Sequence, residues 1–80
     1  MPASSDARLP SDLPVGRVRS ALRRLGFEVA REGGRHTIFI DPTNRSRLVA
    51  VPRHSRVKRQ LLLGELRRVG ISEEQFVAVY

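Results

Sequence analysis

Gly33 and Gly34 separate two β-prone runs, Phe27 to Glu32 and His36 to Asp41, by too little chain for a crossover. Parallel strands need a connection of a dozen or more residues, so these two runs are predicted to pair antiparallel as a hairpin. In the first run Phe27, Val29 and Arg31 alternate with Glu28, Ala30 and Glu32, the period of a strand. Asp41-Pro42-Thr43-Asn44-Arg45 carries the residues of a second hairpin loop. Leu48 to Pro52, β-branched at Val49 and Val51, then reads as a third short strand. Three strands joined by short turns make an antiparallel meander. Ile38, Phe39 and Ile40 are all apolar, which leaves the buried face of the second strand open. Under strict alternation His36 shares a face with Ile38 and Ile40 and sits at its rim.

Helical spacing flanks the meander on both sides. Val15, Val18, Leu22 and Leu25 recur as one stripe, with Ser11 or Asp12 as the cap and Pro14 in the first turn. Gly26 followed by Phe27 is a glycine stop with an apolar contact behind it. After the break at Pro52-Arg53-His54-Ser55, a second helix is expected from about Val57 to Val69, ended by Gly70. Leu61, Leu62, Leu63 and Leu66 supply most of its apolar side. Ser72-Glu73-Glu74-Gln75 has capping-box spacing and opens a short last helix. Residues 1–11, small and polar with prolines, read as a mobile tail, and 12–80 as one domain. The order is helix, three strands, helix, short helix: an α+β two-layer sandwich with the helices covering one face of the sheet.

A single 80-residue core leaves little room for a large buried substrate pocket. No cysteine is present, so disulfides and thiolate metal sites are excluded, and no metal cluster or cofactor motif is recognisable. No apolar run approaches the roughly 18 residues of a membrane span, and the N-terminus lacks a hydrophobic signal segment. The chain is therefore expected to be soluble, cytoplasmic and away from membranes. Its formal charge of +7 favours a polyanion, nucleic acid first. Of fifteen basic residues one is a lysine, Lys58, and the other fourteen are arginines, whose planar fork pairs with phosphate two bonds at a time. A solvated helix face or a GC-rich genome would also enrich arginine.

Among the side chains, His36 is the candidate for chemistry. It stands at the mouth of a strand behind the turn Gly33-Gly34, held by backbone rather than by a loose loop. Histidine accepts or donates a proton near neutral pH. The residues alone also allow an ordinary polar start to a strand. His54 is a possible second proton-transfer group, although its place behind Pro52 favours a turn residue. No Ser or Cys triad is evident. Phe27 and Phe39 read as packing residues rather than base-stacking platforms.

Four landmarks stand in order along residues 13–76. They are a helix ending Leu25-Gly26-Phe27, the turn Gly34-Arg35-His36 followed by Ile38 and Phe39, the segment Val49-Ala50-Val51-Pro52-Arg53-His54-Ser55, and a leucine-rich helix ending Gly70-Ile71-Ser72. In this the chain resembles the HicA toxins of the HicA–HicB toxin–antitoxin systems. It departs from their pattern at Arg35, where a small residue is usual, and at Arg59-Gln60-Leu61-Leu62, where a Gly-Thr step is common. The resemblance implies a fold like the double-stranded-RNA-binding domain and a ribosome-independent mRNA endonuclease. It also implies a catalytic histidine at His36 and a HicB-like antitoxin that covers the active surface. The free toxin is expected as a monomer and the inhibited one as part of a larger complex.

RNA carries its own nucleophile, the 2′-hydroxyl, so the protein needs a base, an acid and cations, and no metal. His36 is then the general base or acid, with Arg35 and Arg53 as stabilisers of the phosphorane. Further phosphate contacts are expected from Arg56, Lys58, Arg59, Arg23 and Arg24. The competing reading is a non-catalytic nucleic-acid-binding module, using Arg17, Arg23, Arg24, Arg53, Arg56, Lys58 and Arg59 on phosphates with His36 incidental.

Overall fold

The computed structural model describes residues 8–80. In chain order the elements are β1 (Asp12–Leu13), α1 (Val15–Arg24), β2 (Glu28–Gly33), β3 (His36–Asp41), β4 (Asn44–Pro52), β5 (Val57–Lys58), α2 (Arg59–Arg68) and α3 (Glu73–Val77). β2, β3 and β4 form the antiparallel meander in that order. With helices on one face of the sheet, the molecule is α+β and compatible with the double-stranded-RNA-binding-domain architecture.

Both long helices end in the same way. At α1, Phe27 donates to the Leu22 carbonyl at 3.0 Å and Gly26 to Arg23 at 2.9 Å, with Gly26 at φ +97°. At α2, Ile71 donates to Leu66 at 2.9 Å and Gly70 to Arg67 at 3.1 Å, with Gly70 at φ +78°. This is the Schellman arrangement, which satisfies the last carbonyls and turns an apolar residue, Phe27 or Ile71, back into the core. α3 opens with the expected capping box: Gln75 N–H donates to Ser72 Oγ at 3.1 Å, and Ser72 N–H to Gln75 Oε1 at 2.8 Å.

Several expectations are corrected. Neither Ser11 nor Asp12 caps α1, because the chain there is extended: β1 pairs with β5, Leu13 opposite Val57, and Arg59 N–H donates to the Ser11 carbonyl at 3.0 Å. Leu13 precedes Pro14, which disfavours helical backbone at Leu13, so α1 starts at Val15. The same pairing keeps Val57–Lys58 out of α2, which begins at Arg59. The expected tail covers 1–11. Its first seven residues lie outside the described part, but Leu9 is 2% exposed, and its N–H donates to Glu73 Oε2 at 2.8 Å while its carbonyl accepts from Arg59 Nη1 at 3.1 Å.

In the sheet, Thr37, Phe39, Val49 and Val51 point to the helices and are fully buried with Val18, Ala21, Leu22, Leu66 and Phe76. The one buried polar side chain among the described residues, Thr37, has its hydroxyl satisfied by Arg19 Nη1 at 2.7 Å. The alternation expected in β2 fails, since all six residues are exposed. Pairing steps from Val29↔Phe39 to Arg31↔Ile38, so Ala30 is an extra, bulged residue that resets which side chains face inward. β4 is longer than expected, yet its regular ladder with β3 runs from Leu48 to Pro52, and the turn-proximal residues 45–47 are skipped. Its free edge is covered by α2: Ala50 N–H donates to Glu65 Oε1 at 3.1 Å, and Arg68 Nη2 to the Leu48 carbonyl at 3.2 Å.

Candidate active site at the first hairpin

The β2–β3 connection is a two-residue turn, Gly34-Arg35, closed by the pair Gly33↔His36. Gly34 has φ +60°, whereas Arg35, like every other described non-glycine residue, does not have positive φ. This is the pattern of a type II′ turn, with glycine required only at the first central position. Arg35 therefore occupies a position open to any L residue, and its departure from a small side chain costs the turn nothing. Gly33 does not have positive φ and has open space where a Cβ would stand, so only Gly34 is needed by the backbone.

The turn is lashed to the chain leaving β4. Arg53 N–H donates to the Arg35 carbonyl at 3.0 Å, and Arg53 Nη1 to the Gly34 carbonyl at 3.3 Å. Its Nε lies 3.9 Å from Glu32 Oε2, an ion pair rather than a hydrogen bond. His36, paired on its other side with Pro52, is thereby set at a braced corner of the sheet. It is exposed, and its parity places it with Ile38 and Ile40 on the face away from the helices, as strict alternation requires.

Two cavities meet at this histidine. One, of about 190 Å³, lies between the end of β4 and α2 and is lined by His36, Pro52, Arg56, Lys58, Leu61 and Glu65 among others. The second, of about 330 Å³, is lined by Arg31, Gly33, Gly34, Arg35, His36 and Ile38. The structure thus brings Arg35, Arg56 and Lys58 around His36. Arg35 makes no side-chain hydrogen bond or ion pair among the described residues, and the contact of Lys58 with Asp12, at 3.5 Å with Lys58 71% exposed, leaves it available. Arg56 reaches the Asp12 carbonyl only at 3.5 Å.

Other expected site residues fall elsewhere. Arg59 donates to Leu9 and holds the N-terminal strand. Arg24 donates to the Val79 carbonyl at 3.0 Å, and the Arg23 guanidinium lies 6.0 Å from the Phe39 ring centre, both on the helix layer. His54 is exposed and lines neither cavity. Sequence reasoning missed Arg31 and Glu65. The signal for Glu65 was its four-residue spacing from Leu61 on one helix face.

The family model of the HicA toxin of bacterial toxin–antitoxin systems matches residues 15–71. The chain belongs to the HicA toxin family. Comparison with the curated proteins returned no match. The HicA match runs from the start of α1 to the residue behind the glycine stop of α2, so it takes in the meander, the braced turn and both cavities at His36. β1 and α3 lie outside it. No helix among the described residues is long and apolar enough to cross a membrane.

Proposed function

We propose that this HicA toxin is a metal-independent endoribonuclease that cuts mRNA in the cytoplasm and is held inactive by a HicB-like antitoxin. The observation that carries the reading is His36, exposed on a braced type II′ turn between two cavities and surrounded by Arg35, Arg56 and Lys58. A strand held by hydrogen bonds on both sides gives a fixed base, and fixed geometry is what proton transfer in a transition state requires.

In the reaction the RNA 2′-oxygen attacks the adjacent phosphorus as its proton passes to a base. The bond from phosphorus to the 5′-oxygen then breaks, and that oxygen takes a proton. The products are a 2′,3′-cyclic phosphate and a 5′-hydroxyl. His36 carries out one of these transfers. Arg35 supplies an unpaired guanidinium to the phosphorane, while Arg53, committed to the Gly34 carbonyl, keeps the turn in place. The antitoxin would cover this surface, where Leu48 on the sheet face of His36 and Leu61 in the wall of the smaller cavity remain 40% and 69% exposed.

Incubation of the purified protein with a long unstructured RNA in excess EDTA tests the reading, beside His36→Ala checked for folding. Cleavage by the wild type alone supports it. Intact RNA with salt-sensitive binding would favour the non-catalytic binding module.

A further inference from the structure

Glu65 is the one carboxylate among the described residues in the wall of the 190 Å³ cavity, and it is half-buried there. Its Oε1 accepts from Ala50 N–H at 3.1 Å and from Arg68 Nη2 at 3.2 Å, while its Oε2 has no hydrogen-bond partner among the described residues. One oxygen thus anchors the group to β4 and leaves the other as a fixed, unused acceptor. Pro52 and the exposed Leu61 line the same cavity with apolar surface, and Arg56, Lys58 and His36 line it with cationic and polar groups. The volume is well below the roughly 300–1,000 Å³ of clefts that take whole drug-sized ligands, and suits one planar ring system.

From these features we infer that the cavity is a base-recognition subsite of the RNA, selective for guanine through Glu65. The inference rests on the reading of His36 as the cleaving histidine and adds the base that lies beside it. Unpaired bases are read by apolar contact with the ring and hydrogen bonds to the Watson–Crick edge. Guanine presents two neighbouring donors on that edge, N1–H and the N2 amino group, to the free carboxylate oxygen. Uracil presents carbonyl oxygens on either side of its single N–H, which a carboxylate repels. The phosphate of the same nucleotide meets Arg56 and Lys58.

The test uses GMP and UMP as probes, followed by NMR shifts of the intact protein, together with mapping of the cuts in a long RNA. The wild type is expected to bind GMP roughly tenfold more tightly than UMP, and its cuts to cluster next to guanosine. Glu65→Gln keeps the acceptor for Ala50 N–H but turns the free position into a donor, so the preference should vanish or reverse. Leu61→Ala, at an exposed position, should weaken both nucleotides alike. Equal binding of GMP and UMP, with His36-dependent cuts spread over all bases, overturns the guanine subsite and leaves the nuclease standing. Selective GMP binding lost in Glu65→Gln, in a protein that cuts nothing, sustains the subsite and sinks the nuclease.

Discussion

The two turns at either end of β3 are built for opposite purposes. At the Pro42–Thr43 turn the polar groups are spent on one another. Asp41 Oδ1 accepts from Thr43 N–H at 2.8 Å and Thr43 Oγ1 at 2.7 Å, and Oδ2 from Arg47 Nη1 at 2.7 Å. Arg47 in turn donates to the Val69 carbonyl at the end of α2 through Nε at 3.0 Å and Nη2 at 2.6 Å. At the Gly34–Arg35 turn backbone carbonyls are held, and the side chains of Arg35 and His36 remain uncommitted among the described residues. One strand therefore carries a structural clamp at one end and free proton-transfer and cationic groups at the other. A side chain that already satisfies the fold has little capacity left for a ligand.

The largest effect that would sharpen this contrast is at His36. His36→Ala is expected to lower RNA cleavage by about 10² to 10⁴ while leaving the thermal midpoint in place, as removal of a proton-transfer group does. Equal loss of cleavage and stability would instead make His36 a structural residue like Arg47. At the other end, Arg47→Ala should lower unfolding free energy by about 2 kcal/mol in denaturant titration, since charged hydrogen bonds to Asp41 and Val69 are lost together. Its cleavage rate, corrected for the folded fraction, should be unchanged.

A smaller effect separates the two glycines. Gly34→Ala forces an L residue to φ +60° and should cost roughly 1–2 kcal/mol, with a fall in cleavage as His36 shifts. Gly33→Ala should stay within about 0.5 kcal/mol of wild type.

The smallest effect concerns pH. The hydrogen bonds from the Thr43 hydroxyl and N–H, with Arg47 beside it, hold the Asp41 carboxyl below the usual carboxylate range. A depressed folded-state pKa stabilises the fold above the unfolded value of about 3.9, and this is lost as pH falls through the folded value. Acid titration of Asp41→Asn should accordingly show a shallower loss of stability below about pH 4 than the wild type.

Much of this architecture was readable wherever the signal was local. β3 spans His36 to Asp41 as expected, because turn residues bracket a β-branched and aromatic run. The glycine stops at Gly26 and Gly70 and the box from Ser72 to Gln75 depend on neighbours within six residues. The β1–β5 pair was not readable, since two-residue strands have no period and exist only through a partner some 45 positions away. The tying roles of Arg47 and Glu65 carry no local signal, because they come from hydrogen bonds to Val69 and Ala50 across the fold.

The candidate site divides in the same way. Sequence alone determined the α+β meander, a glycine turn ahead of a histidine, and the excess of arginine, because each is written in adjacent residues. Tertiary structure alone decided which cations stand by His36 and which are taken up as ties between elements. Arg35, Arg56 and Lys58 are brought to it, while Arg24 and Arg59 are bound to carbonyls elsewhere. The physical reason is that an arginine's use depends on which acceptors the folded chain brings within hydrogen-bonding reach, and no local pattern encodes those.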